Sequence, residues 1–325
     1  MIQVIATTPY TDQKMGTAGL RKKSKVVMQE HYFENFLQSI FNTIDPAEKT
    51  FVVGGDGRFY NSVAIQKLIK MAAANGVKKL IVGQNGFLST PASSNMILKR
   101  RTDGGFVLSA SHNPGGENGD FGIKFATETG GQCSSRVSDR IFAVSQTISE
   151  FKTVDAADID LSRLGTQNLE GMEIEIVDPI SDYVELMEKI FDFELIKKMF
   201  ANGFTMRFDA MNAVTGPYAI RIFEEILGAA KGSVLNAVPK PDFGGLHPDP
   251  NLVYAKELVN IMYADDAPDF GAANDGDGDR NMILGKKFFV TPSDSLAILT
   301  DNYDLIPAYK GGIYGVAKSM ATSTA

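Results

Sequence analysis

The stretch from residue 106 to residue 125 reads FVLSASHNPGGENGDFGIKF, and the rest of the chain is organised around it. Its first three residues are apolar and predict a short buried strand, and the Gly-, Asn- and Pro-rich segment that follows predicts an ordered loop. Ser111 and His112 lie at the end of this strand, where ligands of open α/β sheets bind. Taken alone, the loop is better explained as a surface turn. Only the remainder of the chain favours a functional site.

Strands alternate with amphipathic helices through the first half of the chain. The predicted elements are strands at 51–53, 80–83 and 106–108, a helix over 31–42, a helix with Ile65, Leu68, Ile69 and Ala72 on one face, and a helix that Thr90-Pro91 opens in cap and first-turn order. Such alternation predicts a mainly parallel sheet covered by helices on both faces. The loops after Val53, Val82 and Leu108 are then expected at one edge of the sheet.

The second half of the chain predicts a further unit and the start of another. The predicted elements are a strand at 174–177, a helix capped by Asp178-Pro179 and ending near Phe191, a strand at 204–208, a helix from Thr291 and a strand at 313–316. We therefore expect an α/β fold of consecutive domains with mixed, mainly parallel sheets covered by helices. The expected domains are 1–178, 179–290 and an incomplete 291–325.

Composition excludes several classes of protein. The 325 residues are 44% hydrophobic and 22% charged, which is typical of a soluble globular chain. A net charge of −7 favours no general attraction to nucleic acid or acidic lipid. The single Cys133 rules out an intrachain disulfide, and we find no signal peptide and no membrane-spanning run. The expected location is the cytoplasm, with no nucleic-acid partner and no membrane insertion.

A second motif, NDGDGDRN at residues 274–281, alternates carboxylates with glycines. Glycines allow the backbone to curl until Asp275, Asp277 and Asp279 converge on one hard cation, and Mg²⁺ is the ion expected. The alternative is a solvated acidic turn.

Two other carboxylate motifs do not fit this loop. A calcium-binding EF-hand needs Gly and Glu where this chain has Arg280 and Lys286, and an Asp-x-Asp-x-Thr nucleophile strand would need Thr in place of Asp279. The glycine-rich nucleotide motifs are also absent from the sequence.

The two motifs suggest one centre. Ser111 and His112 are not expected to form a hydrolase pair, because adjacent side chains of an extended segment point in opposite directions. The simplest joint interpretation is a phosphoserine at Ser111 whose oxygen completes an Mg²⁺ shell. Arg21 follows a Gly-Leu turn, where its planar fork could bind phosphate. His247, in a Pro-rich turn, is expected to orient that loop rather than to bind metal.

The sequence closely resembles the α-D-phosphohexomutases, and among them the eukaryotic-type phosphoglucomutase and parafusin group. The matching stretches are 12–22, 53–60, 83–86, 111–125, 242–245, 247–252 and 275–284, in family order. The Ser-His-Asn-Pro and Asp-Gly-Asp-Gly-Asp-Arg motifs are highly specific as a pair.

This resemblance implies a reversible conversion of glucose 1-phosphate and glucose 6-phosphate through a phosphoserine and bound glucose 1,6-bisphosphate. It implies that Ser111 carries the phosphoryl group and that Asp275, Asp277 and Asp279, with Ser111, hold Mg²⁺. The residues expected to contact the phosphoryl group or to assist proton transfer are Arg21, His112, Lys124 and Arg280. Lys124, on a strand at 122–125, is the best general acid or base candidate, with charge stabilisation as its alternative role.

The sequence departs from the family pattern at two loops. Ala18 stands where members usually have Ser, and Asn212-Ala213 stands where they have His-Gly, which we expect to loosen that loop. Residues 319–323 resemble the opening of the family's third domain. Its sugar-recognition loop and the fourth domain with its phosphate loop are not in this sequence.

A chain complete at this length is expected to be a poor or inactive mutase, because remote phosphate binding orients the substrate. Two alternatives stay open: a scaffold or binding protein that keeps the Mg²⁺-phosphoserine centre, and a mutase for another sugar phosphate. We also expect the unfinished third unit to expose apolar surface.

Overall fold

The computed structural model describes residues 1–16 and 18–318. The strands are β1 (Ile2–Ala6), β2 (Leu20–Lys23), β3 (Thr50–Gly55), β4 (Lys79–Phe87), β5 (Gly104–Leu108), β6 (Asp120–Thr127), β7 (Glu150–Val154), β8 (Gly165–Leu169), β9 (Met172–Val177), β10 (Met206–Asp209), β11 (Val234–Leu235), β12 (Phe270–Asn274), β13 (Asn281–Gly285) and β14 (Phe288–Val290). The helices are α1 (Ser24–Val27), α2 (Tyr32–Ile44), α3 (Asn61–Ala74), α4 (Thr90–Arg100), α5 (Ser135–Ser145), α6 (Ser181–Ile190), α7 (Phe193–Ala201), α8 (Thr215–Ala219), which continues as a π-helix over Ile220–Ile226, α9 (Lys256–Met262) and α10 (Pro292–Asp301). No helix in these ranges is long and apolar enough to cross a membrane.

Seven strands form the first sheet, in the order β2-β6-β5-β3-β4-β9-β8. The four central strands β5, β3, β4 and β9 pair in parallel, whereas the pairs of β6 and β8 with their neighbours are antiparallel. The expectation of mixed α/β sheets is therefore confirmed, with the parallel part restricted to the centre. Because β3, β4 and β5 run in parallel, the loops that follow them lie at one edge, as the sequence predicts.

Apolar packing covers both faces of this sheet. The four residues predicted for one face of α3, Ile65, Leu68, Ile69 and Ala72, are all fully buried in the larger core. On the other face, a second core includes Met96 and Ile97 of α4 and extends to Tyr218 of α8. This second core joins the first sheet to the following unit.

Five strands form the second sheet, in the order β11-β10-β12-β13-β14. β10 pairs in parallel with β11 and β12, and β12 and β13 form an antiparallel pair. The acidic motif connects β12 to β13. The sheet thus presents the three aspartates on a turn at its edge.

Two predicted helix starts differ from the structure. Ser89, not Thr90, caps α4 and accepts a hydrogen bond from the Ala92 amide at 3.2 Å, so the hydroxyl of Thr90 is free for another partner. The helix predicted to be capped by Asp178, α6, begins instead at Ser181. Asp178 lies before the cap and accepts hydrogen bonds from the Ile180 amide and the Ser181 hydroxyl.

The C-terminal region also differs from expectation. The predicted strand at 313–316 is wrong, because this segment pairs with no strand among the described residues and Tyr314 is fully exposed. An apolar run forms a strand only where a neighbour completes its hydrogen bonds. The expected apolar exposure is present at Ile298, Leu299 and Leu305. Residues 319–323, which resemble a third-domain opening, lie outside the described residues.

Candidate active site

Ser111 lies on a buried turn after β5. Its backbone is left-handed, with φ 54°, and its side chain is almost fully buried. The Ser111 amide donates to Ser109 Oγ at 2.7 Å, and the Ser111 hydroxyl donates to Asp275 Oδ2 at 2.7 Å. The prediction that Ser111 and His112 lie on an extended segment is wrong. The two residues nevertheless form no hydrolase pair, because Ser111 bonds to the acidic loop, residues 275–280, and not to His112.

The acidic loop is wound around one carboxylate. Asp275 Oδ1 accepts hydrogen bonds from the amides of Gly278, Asp279 and Arg280 at 3.0, 3.1 and 3.1 Å. This winding brings ligand oxygens of Asp275, Asp277 and Asp279 within 4.8 Å of one another. The predicted convergence of the three carboxylates is therefore confirmed.

Gly276 allows the acidic loop to lie against the serine loop, which comprises residues 111–120. A Cβ atom at Gly276 would lie 2.5 Å from the carbonyl oxygen of Ser111, which is far inside van der Waals contact. Any larger residue would push the two loops apart.

Lys124 and Thr90 both bind Asp277. Lys124 Nζ is buried and donates to Asp277 Oδ2, to Thr90 Oγ1 at 3.2 Å and to Asp279 Oδ2 at 3.4 Å. The Thr90 hydroxyl donates to Asp277 Oδ2 at 2.5 Å. Each of the three donor hydrogens of the lysine thus has an acceptor, so Lys124 neutralises charge in this geometry. Thr90, which the sequence suggested as a helix cap, is a residue of the site.

Burial and mutual repulsion act on the carboxylates. Burial, followed by the charges of Asp277 and Asp279, raises the pKa of Asp275 to about 7. Burial also opposes ionisation of Asp277, but the adjacent Lys124 and the Thr90 hydroxyl outweigh it and lower the pKa of that carboxyl. The cluster therefore holds more negative charge than Lys124 compensates.

The donor set fits a hard divalent cation. Asp277 Oδ1 is buried and has no hydrogen-bond partner in the described part of the chain. A buried acceptor without a partner is costly, and a cation beside it would remove that cost. Three carboxylates and the oxygen on Ser111 are ligands of the kind that Mg²⁺ prefers. The residues present therefore fit the ion predicted from the sequence.

The three other residues predicted for the site, Arg21, His112 and Arg280, lie near the carboxylate cluster. Burial, more than any neighbour, lowers the pKa of Arg21, whose Nε has no partner among residues 1–16 and 18–318. His112 Nδ1 is likewise without a described partner, and burial followed by the charge of Arg280 lowers the pKa of this imidazole. Arg280 itself is exposed at the rim.

The turn at 247–251 lies next to this rim. The His247 ring stacks on Tyr254 with ring centroids 4.2 Å apart, and it is 6.4 Å from the His112 ring. The stacking agrees with the expected role of His247 in orienting its loop.

The loop that contains Asn212 is held by two hydrogen bonds of this residue. The Asn212 amide donates to the carbonyl of Asn236 at 2.9 Å, and its side chain donates to the carbonyl of Val238 at 3.1 Å. The expected loosening of this loop stays a prediction, and the hydrogen bond that the asparagine side chain supplies counts against it.

Sequence reasoning missed an ion pair directly beneath the serine loop. Asp56 and Arg58 follow β3, both fully buried, with Asp56 Oδ2 and Arg58 Nη2 2.8 Å apart. Arg58 also donates to the carbonyl oxygen of Ser111 at 2.7 Å. The signal was available: two opposite charges in a Gly-rich turn at the end of a buried strand.

The fold and the site define a class: consecutive α/β units whose junction holds a buried serine against a carboxylate cluster suited to a divalent cation. Family comparison agrees with this class. Residues 12–152 match phosphoglucomutase/phosphomannomutase alpha/beta/alpha domain I, and residues 181–287 match domain II of the same family. The chain belongs to the phosphoglucomutase/phosphomannomutase family.

Individual relatives cover the whole chain. A phosphoglucomutase of Rhizobium radiobacter is 57% identical over 100% of this chain and 60% of its own length. A cytoplasmic phosphoglucomutase of Populus tremula is 51% identical over 99% of this chain and 59% of its own length. The open form of Paramecium pp63/parafusin, a phosphoglucomutase, superposes with a TM-score of 0.95 at 47% identity, over 99% of this chain and 61% of that one. The chain thus spans about 60% of the length of these relatives.

Proposed function

We propose that this chain carries the phosphoserine and magnesium centre of a phosphoglucomutase, which interconverts glucose 1-phosphate and glucose 6-phosphate. The observation that carries the proposal is the 2.7 Å hydrogen bond from Ser111 Oγ to Asp275, within a cluster of three carboxylates. Relatives named phosphoglucomutase, at 51% and 57% identity over this chain, support the same reaction.

In the proposed reaction Ser111 is the phosphoryl carrier. The bond between phosphorus and Ser111 Oγ breaks as a bond forms to a sugar hydroxyl oxygen, which gives glucose 1,6-bisphosphate. The hydroxyl proton passes to a base, and the serine later accepts the other phosphoryl group of the bisphosphate. Mg²⁺, which Asp275, Asp277, Asp279 and an oxygen on Ser111 would hold, supplies charge neutralisation.

The surrounding residues divide the remaining work. Lys124 balances negative charge at Asp277, because its donors are already engaged there. Arg21 and Arg280 bind phosphoryl oxygens, and the Nε of Arg21, which has no partner among the described residues, is suited to this. His112, whose Nδ1 has no partner in the described part of the chain, is a better candidate for proton transfer than Lys124.

The remaining assignments are proposals of the same standing. The domain boundaries are proposed after residues 178 and 290, and the end of β9 at Val177 supports the first of them. The proposed partner is a small sugar phosphate, with glucose 1,6-bisphosphate as intermediate and activator. The proposed location is the cytoplasm, although similar proteins include both cytoplasmic and chloroplastic phosphoglucomutases.

Phosphate transfer to the protein tests the proposal directly. The chain is incubated with Mg²⁺ and glucose 1,6-bisphosphate labelled in its phosphates, and intact mass and peptide mapping locate the label. We expect one phosphate on Ser111, none in Ser111→Ala, and unchanged labelling in Ser62→Ala, which alters an exposed serine of α3. Absence of label in the unaltered chain would refute the proposal. Labelling without turnover of glucose 1-phosphate would restrict it to the carrier step and favour the binding-protein alternative.

A further inference from the structure

Arg58 binds both ends of the serine loop from below. Its guanidinium donates to the carbonyl of Ser111 at 2.7 Å and to that of Asp120 at 2.8 Å, with a longer contact to Asn113 at 3.3 Å. Asp56 accepts from Arg58 Nε at 2.9 Å and holds the planar fork in place. Such a fork has five donors in a fixed geometry, which a lysine cannot reproduce.

These bonds hold Ser111 in a conformation that it would not adopt freely. A left-handed backbone at a residue other than glycine is unfavourable and persists only where its surroundings enforce it. Ser111 is held at its amide by Ser109 and at its carbonyl by Arg58, and this arrangement directs Oγ to Asp275.

Phe243, from the second unit, covers Arg58. The Phe243 ring is fully buried, and its centroid is 5.2 Å from the guanidinium carbon. Next to it, the carbonyl of Pro241 accepts from the amides of Phe59 at 2.7 Å and Gly116 at 3.1 Å. A Cβ at Gly115 would come within 2.9 Å of the Phe243 ring. The second unit therefore closes directly over the residue that holds the serine loop.

We infer that Arg58 is a positioning residue that locks the Ser111 loop, and that Phe243 ties this lock to the second unit. Its effect on phosphate transfer rests on the proposed function of Ser111, whereas the lock itself does not. Arg58 contacts the backbone of the loop and acts through Ser111. A shift of one unit relative to the other would then alter the geometry of the serine through Phe243 and Arg58.

The test compares two conservative variants with two matched controls. Arg58→Lys keeps the positive charge beside Asp56 but loses the fork, and Phe243→Leu keeps an apolar side chain but loses the ring face. Arg100→Lys makes the same change at a partly exposed ion pair on α4, and Phe51→Leu makes it at a fully buried ring in β3. Amide hydrogen exchange of residues 111–120 and the kinetics of phosphate transfer from glucose 1,6-bisphosphate are measured for each.

We expect Arg58→Lys to lower the maximal rate about 100-fold, since misplacement by about 1 Å has this effect. The KM for the bisphosphate should change less than about threefold, because the loop and not substrate binding is altered. Phe243→Leu should lower the rate about tenfold. Both variants should exchange faster at 111–120 but not in β10, and the controls should not show this pattern.

Equal exchange at 111–120 in the variants and their controls would overturn the inference, as would faster exchange with an unchanged rate. Phe243→Leu decides the matter if Arg58→Lys does not fold. If the unaltered chain takes up no phosphate, the proposed function fails, and the exchange comparison alone still decides whether the lock exists.

Discussion

Two sets of ion pairs in this molecule have opposite surroundings. At the junction of the two sheets, Lys124 and Asp277 are 2% and 0% exposed. Between α4 and α6, Lys99 and Glu185 form a pair that is 33% and 47% exposed. Buried charges cannot be hydrated, so each depends on its partner, whereas exposed charges keep their water. The buried pairs therefore determine the geometry of the site, whereas the exposed pairs between helices contribute little to stability.

The largest expected effect comes from breaking the other fully buried ion pair, that of Asp56 with Arg58 beneath the serine loop. Asp56→Asn leaves the buried guanidinium of Arg58 without a counter-charge and should lower the free energy of unfolding by about 3–5 kcal/mol. Glu185→Gln, on the exposed pair, should leave it nearly unchanged. Urea unfolding monitored by circular dichroism measures both. Equal losses in the two variants would show that burial does not separate the two sets.

Lys124→Met tests whether the buried pair of Lys124 with Asp277 contributes to phosphate transfer. Removal of a preorganised charge from a water-excluded site should lower phosphate transfer to Ser111 about 10²–10³-fold. Lys99→Met removes a lysine from the exposed network and should leave the rate unchanged. Labelled glucose 1,6-bisphosphate provides the rate in both cases. A rate within about threefold of the original in Lys124→Met would contradict a charge-stabilising role.

The same contrast exists within the acidic loop. The Asp277 side chain is fully buried, and that of Asp279 is 35% exposed. A charge contact at 4 Å is worth about 4 kcal/mol at an effective dielectric constant of 20 and about 1 kcal/mol in water. Asp277→Asn should therefore reduce Mg²⁺ affinity more than Asp279→Asn, as measured by titration calorimetry. Equal reductions would show that burial does not set the strength of these ligands.

The smallest expected effect concerns the pKa of an exposed carboxyl. Lys189 and Lys99 lower the pKa of Glu185 to about 2. A lowered carboxyl pKa stabilises the fold above the ordinary pKa of 4.5, and this contribution is lost as the pH falls towards 2. Lys189→Met should raise the titration midpoint of Glu185, observed by NMR, and about 1 M NaCl should raise it in the unaltered chain. A midpoint insensitive to salt would place this pair with the junction pairs.

Much of the fold and the site was predictable from local patterns. The strands at 51–53, 80–83 and 106–108, the buried face of α3 and the common edge of three loops all follow from hydrophobic periodicity. The cluster of Asp275, Asp277 and Asp279 follows from alternate carboxylates on a glycine-rich turn. These features depend on residues close in sequence, which is why a pattern suffices.

Other features depend on distant neighbours. The sequence pattern predicted Thr90 as a helix cap, but the Thr90 hydroxyl bonds to Asp277, which is 187 residues away in the chain. The pattern also predicted a strand at residues 313–316, although no strand among the described residues pairs with this segment. It treated Arg58 as part of a matching loop, and not as the support of Ser111. None of these partners can be read from a local pattern.

By itself the sequence indicated the strands and helices around the site, the two motifs and a cation-binding role for the acidic loop, because propensity and ligand chemistry are local properties. Only the tertiary structure decided that Ser111 meets Asp275 across 164 residues, that Arg58 holds the serine backbone and that Phe243 covers it. The reason is physical: a buried polar group must find its partner within hydrogen-bond distance, and packing, not sequence spacing, supplies that partner.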